Sequence, residues 1–312
     1  MKKVALITVT YNAEKNLSFF LPSLIKNREI LSGIFFVDNN SKDKTLKELE
    51  NFKETQRENF DIDITSNDEN YGYAYAINMG IQKALETGYD YFCITNNDLI
   101  FEEGFFSQML EDAVHNNIDA LGVPASINEN ELGLGYKLDN ETFLLKESSP
   151  LLRNKIAEEI LKNPLPQIDA PHGGTILFSR FFFDEIGLYD HHLFFGGDEL
   201  DFLYRITAHN TVHTPKIKCA VSLKSFLLID NLSKHNSGHK IIKARGMLQG
   251  NARVNLKHRF TPLHIGLYKE QHKLIRGLSK GKIIRYLALY FFAFRGLCIE
   301  ICKYYYEALW RN

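Results

Sequence analysis

The first hundred residues alternate between strand-like and helix-like hydrophobic patterns, and this alternation constrains the fold more than any other feature of the chain. Short apolar runs at residues 4–9, 33–37 and 91–95 are separated by segments in which apolar residues recur at helical spacing. Strands that alternate with helices require right-handed crossovers and a mainly parallel, covered sheet. The sequence therefore predicts an α/β, Rossmann-like fold with a mainly parallel central sheet flanked by helices.

Polar loops follow these strands and helices and share one chemical character. The carboxyl ends of parallel strands meet at one edge of the sheet, where open α/β sheets bind ligands. The loops carry amides, hydroxyls and carboxylates but little positive charge, so a bound diphosphate would need a metal ion to screen it. The residues singled out are Thr10, Tyr11, Asn12, Asp38, Asn40, Asn70, Gly72, Asn78, Asn96, Asn97 and Asp98. They predict a polar ligand-binding cleft.

Asp98 is the candidate metal ligand. The apolar run at residues 91–95 leads directly into Asn96, Asn97 and Asp98. A carboxylate in this position can hold a divalent cation against a diphosphate, because hard cations take oxygen ligands and keep open positions for phosphate. A turn that caps the next helix explains the same three residues without a ligand.

Composition and motifs exclude several classes of protein. The formal net charge of −1 argues against a nucleic-acid binder, and four cysteines without a CxxC pair indicate neither a disulfide framework nor a zinc site. There is no GxGxxG and no Walker lysine, which disfavours dinucleotide dehydrogenases and P-loop NTPases. The sequence shows no signal-peptide pattern and no run of about 20 apolar residues, so we expect a cytoplasmic protein without an ordinary transmembrane helix.

Five motifs in order resemble those of the family 2 glycosyltransferases, which are inverting enzymes with a GT-A fold. They lie at residues 9–12, 37–43, 70–74, 96–98 and 195–205, and residues 173–180 resemble the strand that precedes the last motif. The resemblance covers roughly residues 4–225. Within the family, the chain looks closest to rhamnosyltransferase-like and galactofuranosyltransferase-like members that build bacterial surface polysaccharides.

The resemblance implies a division of the chain and a reaction. Residues 1–225 would form the GT-A catalytic domain, with a nucleotide-sugar half at 1–100 and an acceptor half at 101–225, and residues 226–312 a C-terminal helical extension. The donor would be a nucleoside diphosphate sugar such as dTDP-rhamnose, UDP-galactofuranose or another UDP-hexose. The acceptor would be a hydroxyl of a bacterial surface polysaccharide or a lipid-linked glycan precursor.

The resemblance also assigns roles to the residues of the donor side. Asp38, with Thr10 and Tyr11 nearby, would contact the base, although capping of the next helix is an alternative for Asp38. Asn70 and Gly72 would lie against the ribose or the sugar, where a glycine permits close backbone approach. The remaining residues implied to bind the nucleotide sugar are Asn12, Asn40, Asn78, Asn96 and Asn97.

Asp98 matches the last acid of the family's DxD-type motif and would ligate Mg²⁺ or Mn²⁺ through the diphosphate. The sequence departs from that motif at Asn96, where an acid is common. The family often has a metal-binding histidine after the later acidic helix, but residues 219–224 contain none. The resemblance leaves His235 as the candidate for a metal or leaving-group contact, with an ordinary surface histidine as the alternative.

Asp198 and Glu199 are the candidate catalytic acids. Inversion needs a base that takes the proton of the acceptor hydroxyl, and burial or a neighbouring like charge raises the basicity of a carboxylate. The resemblance favours Glu199 as this base, with Asp198 as the second choice. Asp201 and Arg205 lie four residues apart and predict a helix-stabilising pair. The alternative for the acidic run is a solvated helix N-terminus.

His172, Gly173 and Gly174 are implied to line the acceptor pocket, and simple packing is the alternative for His172. Farther on, the basic residues between 269 and 285 precede an aromatic, amphipathic stretch that suits a membrane surface bearing a lipid-linked acceptor. The same aromatics could instead pack against the catalytic domain or form a homodimer. Peripheral contact with the inner face of the plasma membrane therefore stays open.

Two other classes share parts of this pattern. A nucleotidyltransferase has a related sheet and a metal-binding carboxylate, but it needs a glycine-rich loop with a lysine or arginine after the first strand. Residues 10–13 do not supply one. An inactive glycan-binding or nucleotide-binding module stays open because an amide replaces an acid at Asn96.

Overall fold

The structure of the protein is a computed structural model that describes residues 3–127, 129–138 and 145–231 together with Arg253, Val254 and Lys257. In chain order the strands of these residues are β1 (Val4–Thr10), β2 (Leu31–Asp38), β3 (Asp61–Ser66), β4 (Tyr91–Thr95), β5 (Leu99–Phe101), β6 (Ala120–Gly122), β7 (Ala125–Ser126), β8 (Glu131–Gly133), β9 (Tyr136–Leu138), β10 (Leu145–Glu147), β11 (Leu151–Leu152), β12 (Gln167–Ile168), β13 (Thr175–Ser179), β14 (Cys219–Val221) and β15 (Ile229–Asn231). The α-helices are α1 (Glu14–Ile25), α2 (Thr45–Gln56), α3 (Tyr73–Glu86), α4 (Phe105–Asn116), α5 (Ile156–Lys162), α6 (Arg180–Ile186), α7 (Asp198–Val212) and α8 (Leu223–Phe226).

The central sheet has eight strands in the order β12-β14-β6-β13-β4-β1-β2-β3. β1 pairs in parallel with β2 and β4, β2 with β3, and β6 with β14. β13 runs antiparallel between β4 and β6, and β12 runs antiparallel to β14. The predicted α/β fold with a mainly parallel sheet is therefore confirmed. The two antiparallel strands of this sheet, β12 and β13, both lie after residue 100.

Hydrophobic side chains cover both faces of the sheet. Along β1, Ala5 and Ile7 join one buried cluster, whereas Val4 and Leu6 join the other, because successive side chains of a strand point to opposite faces. Helices α3, α6 and α7 pack in the first cluster, and α1, α2 and α4 in the second. These two layers hold the carboxyl ends of β1, β2 and β4 at one edge.

The described fold continues past residue 225. β15 pairs with β5, which begins immediately after Asp98, and Val254 is fully buried in the cluster that contains α7. The predicted division at residue 225 stays a prediction. His235 and the aromatic stretch of the predicted extension lie outside the described residues. Among the helices that are described, none has the length and apolar character needed to cross a bilayer.

Candidate active site

The loops after β1 and β2 are joined at the carboxyl edge of the sheet, as their polar character predicts. The N–H of Asn39 donates to the carbonyl of Thr10, and the N–H of Asn67, just after β3, donates to the carbonyl of Asp38. The Thr10 hydroxyl donates to Oδ1 of Asp38 over 2.9 Å. Backbone and side-chain hydrogen bonds thus bring the first three loops together.

Asp38 is almost fully buried at the base of this region. Its Oδ1 accepts hydrogen bonds from the hydroxyls of Thr10 and Ser41, and its Oδ2 accepts from the Ser41 N–H over 3.0 Å. Asp38 does not cap the next helix, because α2 begins at Thr45 and the Thr45 N–H donates to Asp43 instead. A carboxylate has about four lone-pair sites, so Asp38 keeps acceptor capacity for a further donor.

Asn39 organises the loops after β2 and β3, a role that the sequence does not predict. Its Nδ2 donates to Oδ1 of Asn70 and to the carbonyl of Gly72, while its Oδ1 accepts from Asn67 Nδ2 and from the Tyr71 N–H. These contacts use the two donors and two acceptor sites of the amide. The only signal in the sequence is that Asn39 is a polar residue between Asp38 and Asn40, which were both selected as candidate site residues.

Asn12 and Asn40 adopt left-handed backbone conformations, with φ of 50° and 66°. Asparagine tolerates this conformation because its short side chain can bond to nearby backbone. Asn12 Oδ1 accepts from the Lys42 N–H over 2.7 Å, and Asn40 Nδ2 donates to the Asp68 carbonyl over 2.6 Å. The Tyr11 side chain between the strand and this turn is 52% exposed.

The loop after β4 carries the candidate metal ligand. Asn97 Nδ2 donates to the Val9 carbonyl over 2.7 Å, and its Oδ1 accepts from Asn16 Nδ2 over 3.1 Å, which ties the end of β4 to β1 and α1. Asp98 is half-buried, and Asn96 is exposed. The Asn97 amide therefore fixes the turn, and Asp98 supplies the carboxylate.

Gly72 and Asn78 have structural contacts that differ from the predicted ligand contacts. A Cβ added to Gly72 would lie 2.7 Å from Cδ2 and 2.8 Å from the carbonyl of Phe194, so this segment, not a ligand, occupies the close approach. Both polar atoms of the Asn78 amide bond to the backbone of Tyr189, at 2.9 and 3.0 Å. Asn78 therefore joins α3 to the segment before α7, and its contact with the nucleotide sugar stays a prediction.

Asp198 and Glu199 form a carboxylate pair at the start of α7. The helix follows Gly196 and Gly197, whose φ values of 76° and 91° favour glycine. The two side chains are hydrogen-bonded to each other, and Glu199 Oε1 also accepts from the Gly173 N–H over 3.2 Å. Burial raises the pKa of Asp198 well above its ordinary value, and the adjacent charge of Glu199 raises it further.

An apolar cavity backs the carboxylate pair and accounts for this pKa. It is lined by Pro171, Ile176, Phe178, Phe182 and Phe202, among others, together with both acids. Such walls limit the access of water to Asp198 and so disfavour its charged form. Both acids are half-buried, so they do not form a fully solvated helix N-terminus.

His172 lies beside the pair, in contact with Tyr136, with the two ring centroids 4.6 Å apart. Burial lowers the pKa of His172, while the charge of Glu199 opposes this effect. Within the described part of the chain, the buried Nε2 of His172 has no hydrogen-bond partner. The ring is thus packed and also retains an unused polar atom near Glu199.

Gly173 and Gly174 connect the two sides of the site. A Cβ on Gly173 would approach Glu199 Oε1 to 2.7 Å, so the missing side chain makes room for the acid, whereas the space beside Gly174 is open. The carbonyl of Gly174 accepts from the Asn96 N–H over 3.0 Å. The turn that carries Asp98 and the backbone that anchors Glu199 are therefore adjacent.

An ionic network supports α7 from behind. The predicted Asp201–Arg205 pair is confirmed, with Arg205 Nε donating to Asp201 over 2.8 Å, and Lys257 Nζ donates to the other carboxylate oxygen over 2.7 Å. Arg253 and Lys257 also reach Asp190, each at 3.3 Å. Burial raises the pKa of Asp190, but these two cations outweigh it and hold the pKa well below its ordinary value.

Asp190, His191 and His192 place ligand atoms within 4.8 Å of one another, which is the geometry of a candidate metal cluster in the described residues. Arg253 and Lys257 already neutralise Asp190, however, and two cations disfavour the approach of a third. Sequence analysis pointed to neither Asp190 nor its cationic partners, which lie more than sixty residues later in the chain.

Comparisons with known proteins fit this arrangement. Residues 5–187 match the family model described as Glycosyl transferase family 2. A structure of GalNAc-T7 with UDP, GalNAc and Mn²⁺ is 16% identical and superposes with a TM-score of 0.59, covering 88% of this chain and 54% of that chain. The chain thus spans about half the length of that protein.

A structure of the mannosyltransferase PcManGT from Pyrobaculum calidifontis, in complex with GDP-Man and Mn²⁺, is also 16% identical. It superposes with a TM-score of 0.50 and covers 98% of this chain and 80% of that chain. No curated protein matches the sequence significantly. At these identities the two likenesses show a common fold.

Proposed function

The chain belongs to glycosyl transferase family 2 and is a glycosyltransferase of GT-A fold, and from this premise we propose that it is an inverting enzyme with the Asp198–Glu199 pair as its base. The observation that carries the proposal is the half-buried carboxylate pair. Glu199 accepts a hydrogen bond from the Gly173 N–H, and the next residue, Gly174, bonds to the turn that carries Asp98. These contacts support a proton acceptor close to the candidate diphosphate site.

In the proposed reaction the acceptor oxygen attacks the anomeric carbon from the face opposite the leaving diphosphate. The new bond joins that oxygen to the anomeric carbon, and the bond from the anomeric carbon to the diphosphate oxygen breaks. Glu199 takes the hydroxyl proton and shares it with Asp198, while the nucleoside diphosphate leaves with the bonding electrons. The raised pKa of Asp198 supports this role, because it strengthens the proton affinity of the ionised pair.

The base of the donor would lie at the loops after β1 and β2. Thr10 and Ser41 hold the Asp38 carboxylate in one orientation, and its remaining acceptor capacity suits a ring N–H of a nucleobase. The half-exposed ring of Tyr11 offers an apolar face beside it. Asn70 and Asn40 would contribute through the loop shape that they maintain.

The oxygen ligands of the Asp98 turn suit Mg²⁺ or Mn²⁺, because hard cations prefer carboxylate and amide oxygens. Asp98 would hold the ion, with the exposed Asn96 as a further oxygen donor in place of the family's usual acid. Such an ion supplies neutralisation of the diphosphate charge. Both compared structures contain Mn²⁺.

The finer specificity rests on the sequence resemblance. We propose dTDP-rhamnose, UDP-galactofuranose or another UDP-hexose as donor, and a bacterial surface polysaccharide or lipid-linked precursor as acceptor, next to His172 and Gly174. The basic and aromatic residues beyond position 269 support peripheral membrane contact. Deleting residues 269–312 should reduce co-sedimentation with anionic vesicles, and undiminished binding would contradict the membrane contact.

The test is release of products from a panel of nucleotide sugars, first chosen by thermal stabilisation. Wild-type protein should release nucleoside diphosphate in the presence of Mg²⁺ or Mn²⁺, and Asp98→Ala should abolish this release. Asp63→Ala is the control, since it removes a carboxylate of β3 that forms an ion pair with Lys83 of α3. Release of pyrophosphate would instead support nucleotidyl transfer, and no turnover with any donor would support a binding module.

A further inference from the structure

Tyr73 is held against the segment that leads to the carboxylate pair. It is the first residue of α3, and its N–H donates to the carbonyl of Phe194 over 2.8 Å. Five residues later, Asn78 bonds to the backbone of Tyr189. The start of α3 is thus fastened at two points to the chain that precedes Asp198.

The ring of Tyr73 belongs to an aromatic stack beside the acids. It meets the ring of Tyr189 edge-on, with centroids 6.3 Å apart, and Tyr189 packs on Phe202 of α7 at 4.5 Å. Tyr189 in turn lines the cavity that contains Asp198 and Glu199. This packing holds the Tyr73 ring in place, so a hydrogen bond from its hydroxyl to either acid requires the acid side chain to move toward it.

The hydroxyl of Tyr73 is buried and lacks a hydrogen-bond partner within the described residues. Burial raises the pKa of this hydroxyl, and the negative charges of Asp198 and Glu199 raise it further, so it remains a protonated donor. A buried O–H without a partner is costly, and phenylalanine would avoid that cost. A buried donor that has no partner, in an aromatic stack next to the cavity of the two acids, therefore calls for an explanation.

The carboxylate pair changes its hydrogen bonding with its proton content. While one proton is shared, Asp198 and Glu199 bond to each other, and the Tyr73 hydroxyl is left out. When that proton leaves, the bond between the acids is lost and two like charges remain. Their oxygens then need an outside donor.

We infer that Tyr73 is a positioning residue for the transfer reaction, whose hydroxyl donates a hydrogen bond to the Asp198–Glu199 pair when the pair is fully ionised. The inference rests on the proposed function of the pair as the base. The hydrogen bond stabilises the ionised base before the acceptor hydroxyl delivers its proton. It is released once the pair shares a proton again.

Among the described residues, four other groups lie around the pair, and two of them are already engaged. The Gly173 N–H already bonds to Glu199, and Asp201 is an acid held by Arg205 and Lys257. Tyr189 is a second buried phenol near both acids, with Arg205 close enough to influence its pKa. His172 presents a ring nitrogen whose donor role depends on its tautomer.

The experiment compares Tyr73→Phe with wild type by carbon NMR titration of the side-chain carboxyls in the substrate-free protein. Loss of the hydrogen bond should make the pair bind its shared proton about tenfold more tightly, since a hydrogen bond to a charged group contributes about one decade in the equilibrium. The transfer rate should fall at low pH as the pair takes up a proton, and in Tyr73→Phe this fall should lie about one pH unit higher than in the wild type. At pH values well above it, the rate should return close to the wild-type value.

Tyr89→Phe is the matched control, because Tyr89 is a buried tyrosine that precedes β4 at the opposite edge of the sheet. Unchanged proton affinity in Tyr73→Phe, or an equal change in the control, would overturn the inference. A raised acceptor KM with an unmoved titration would also overturn it, in favour of direct acceptor binding. Because the titration needs no turnover, it separates failure of this inference from failure of the proposed transferase activity.

Discussion

The loops proposed to bind the donor (the donor side, residues 10–13, 38–45, 67–72 and 96–98) and the region proposed to bind the acceptor (the acceptor side, Tyr73 with residues 172–174 and 189–201) treat their polar groups differently. On the donor side, the amides of Asn39 and Asn97 are satisfied by neighbouring loops. On the acceptor side, burial raises the pKa of Asp198, and two buried polar atoms, the Tyr73 hydroxyl and His172 Nε2, have no partner among the described residues.

This difference separates positioning from chemistry. A nucleotide needs a preformed surface, and neutral hydrogen bonds between loops supply it without any change of charge. A base must gain and lose a proton, so its surroundings cannot satisfy both states equally well. Local violations of the usual rules for buried polar groups are therefore expected where the chemistry occurs.

The largest expected effect tests the acceptor side directly. Glu199→Gln keeps the shape of the side chain but removes the proton acceptor, so transfer should fall by about 10²- to 10⁴-fold. Binding of the donor should remain nearly intact, because the donor-side loops do not depend on Glu199. Initial rates and calorimetric donor titration measure the two properties. Unchanged turnover would move the base to Asp198 or elsewhere.

The ionic support of α7 gives the next effect. Asp201→Ala leaves Arg205 and Lys257 without their buried partner and should lower the free energy of unfolding by about 3 kcal/mol. Chemical denaturation measures the loss. The control Asp63→Ala breaks a pair whose side chains are 41% and 40% exposed and should cost less than about 1 kcal/mol. Equal losses would mean that burial does not distinguish the two networks.

The donor-side counterpart is Asn39→Ala. The change leaves Asn67, Asn70 and the Tyr71 N–H without their shared partner, so the free energy of unfolding should fall by about 1–3 kcal/mol. Because the bonds are neutral, this loss should respond little to added salt. Asn59→Ala, at an exposed amide after α2, is the control. A strong salt dependence would contradict the contrast between the two sides.

The sequence was most informative where the evidence is local. Alternating hydrophobic periods predicted the layered α/β fold, and polar residues after strands predicted the edge on which the loops meet. The same reasoning selected Gly72 and Asn78 as ligand residues, because a small or polar residue at the start of a helix or within it looks alike whether it meets a sugar or a backbone. Their partners, Phe194 and Tyr189, lie more than a hundred residues away.

Long-range contacts also explain what was missed. Asp190 carries no motif, and its role depends on Arg253 and Lys257, which no periodicity connects to it. Tyr73 occupies the first position of a predicted helix, where a tyrosine is unremarkable until its hydroxyl is found beside Asp198 and Glu199. Burial and pairing across the fold create these properties, whereas sequence spacing reports only neighbours along the chain.

The smallest effect sharpens the comparison through pH. Burial raises the pKa of Asp198, so between the ordinary value of 3.8 and its raised value the folded state binds more protons than the unfolded state. Wild-type stability therefore falls as pH rises through this window. Asp198→Asn removes this decline. The melting temperature of the variant should therefore rise relative to that of the wild type as the pH increases from about 5 to about 9.

Asp43 on the donor side should behave in the opposite way. Burial raises its pKa, but hydrogen bonds from Thr45 and from the Glu14 N–H together outweigh this and lower it below 3.8. Its contribution to stability is therefore present above the unfolded value and is lost as pH falls through the folded one. Asp43→Asn should be less stable than wild type at neutral pH, and the difference should shrink in acid. The melting temperature of each variant is compared with that of the wild type as a function of pH. If the two differences change with pH in the same direction, the donor side and the acceptor side do not differ in how they shift the pKa of these acids.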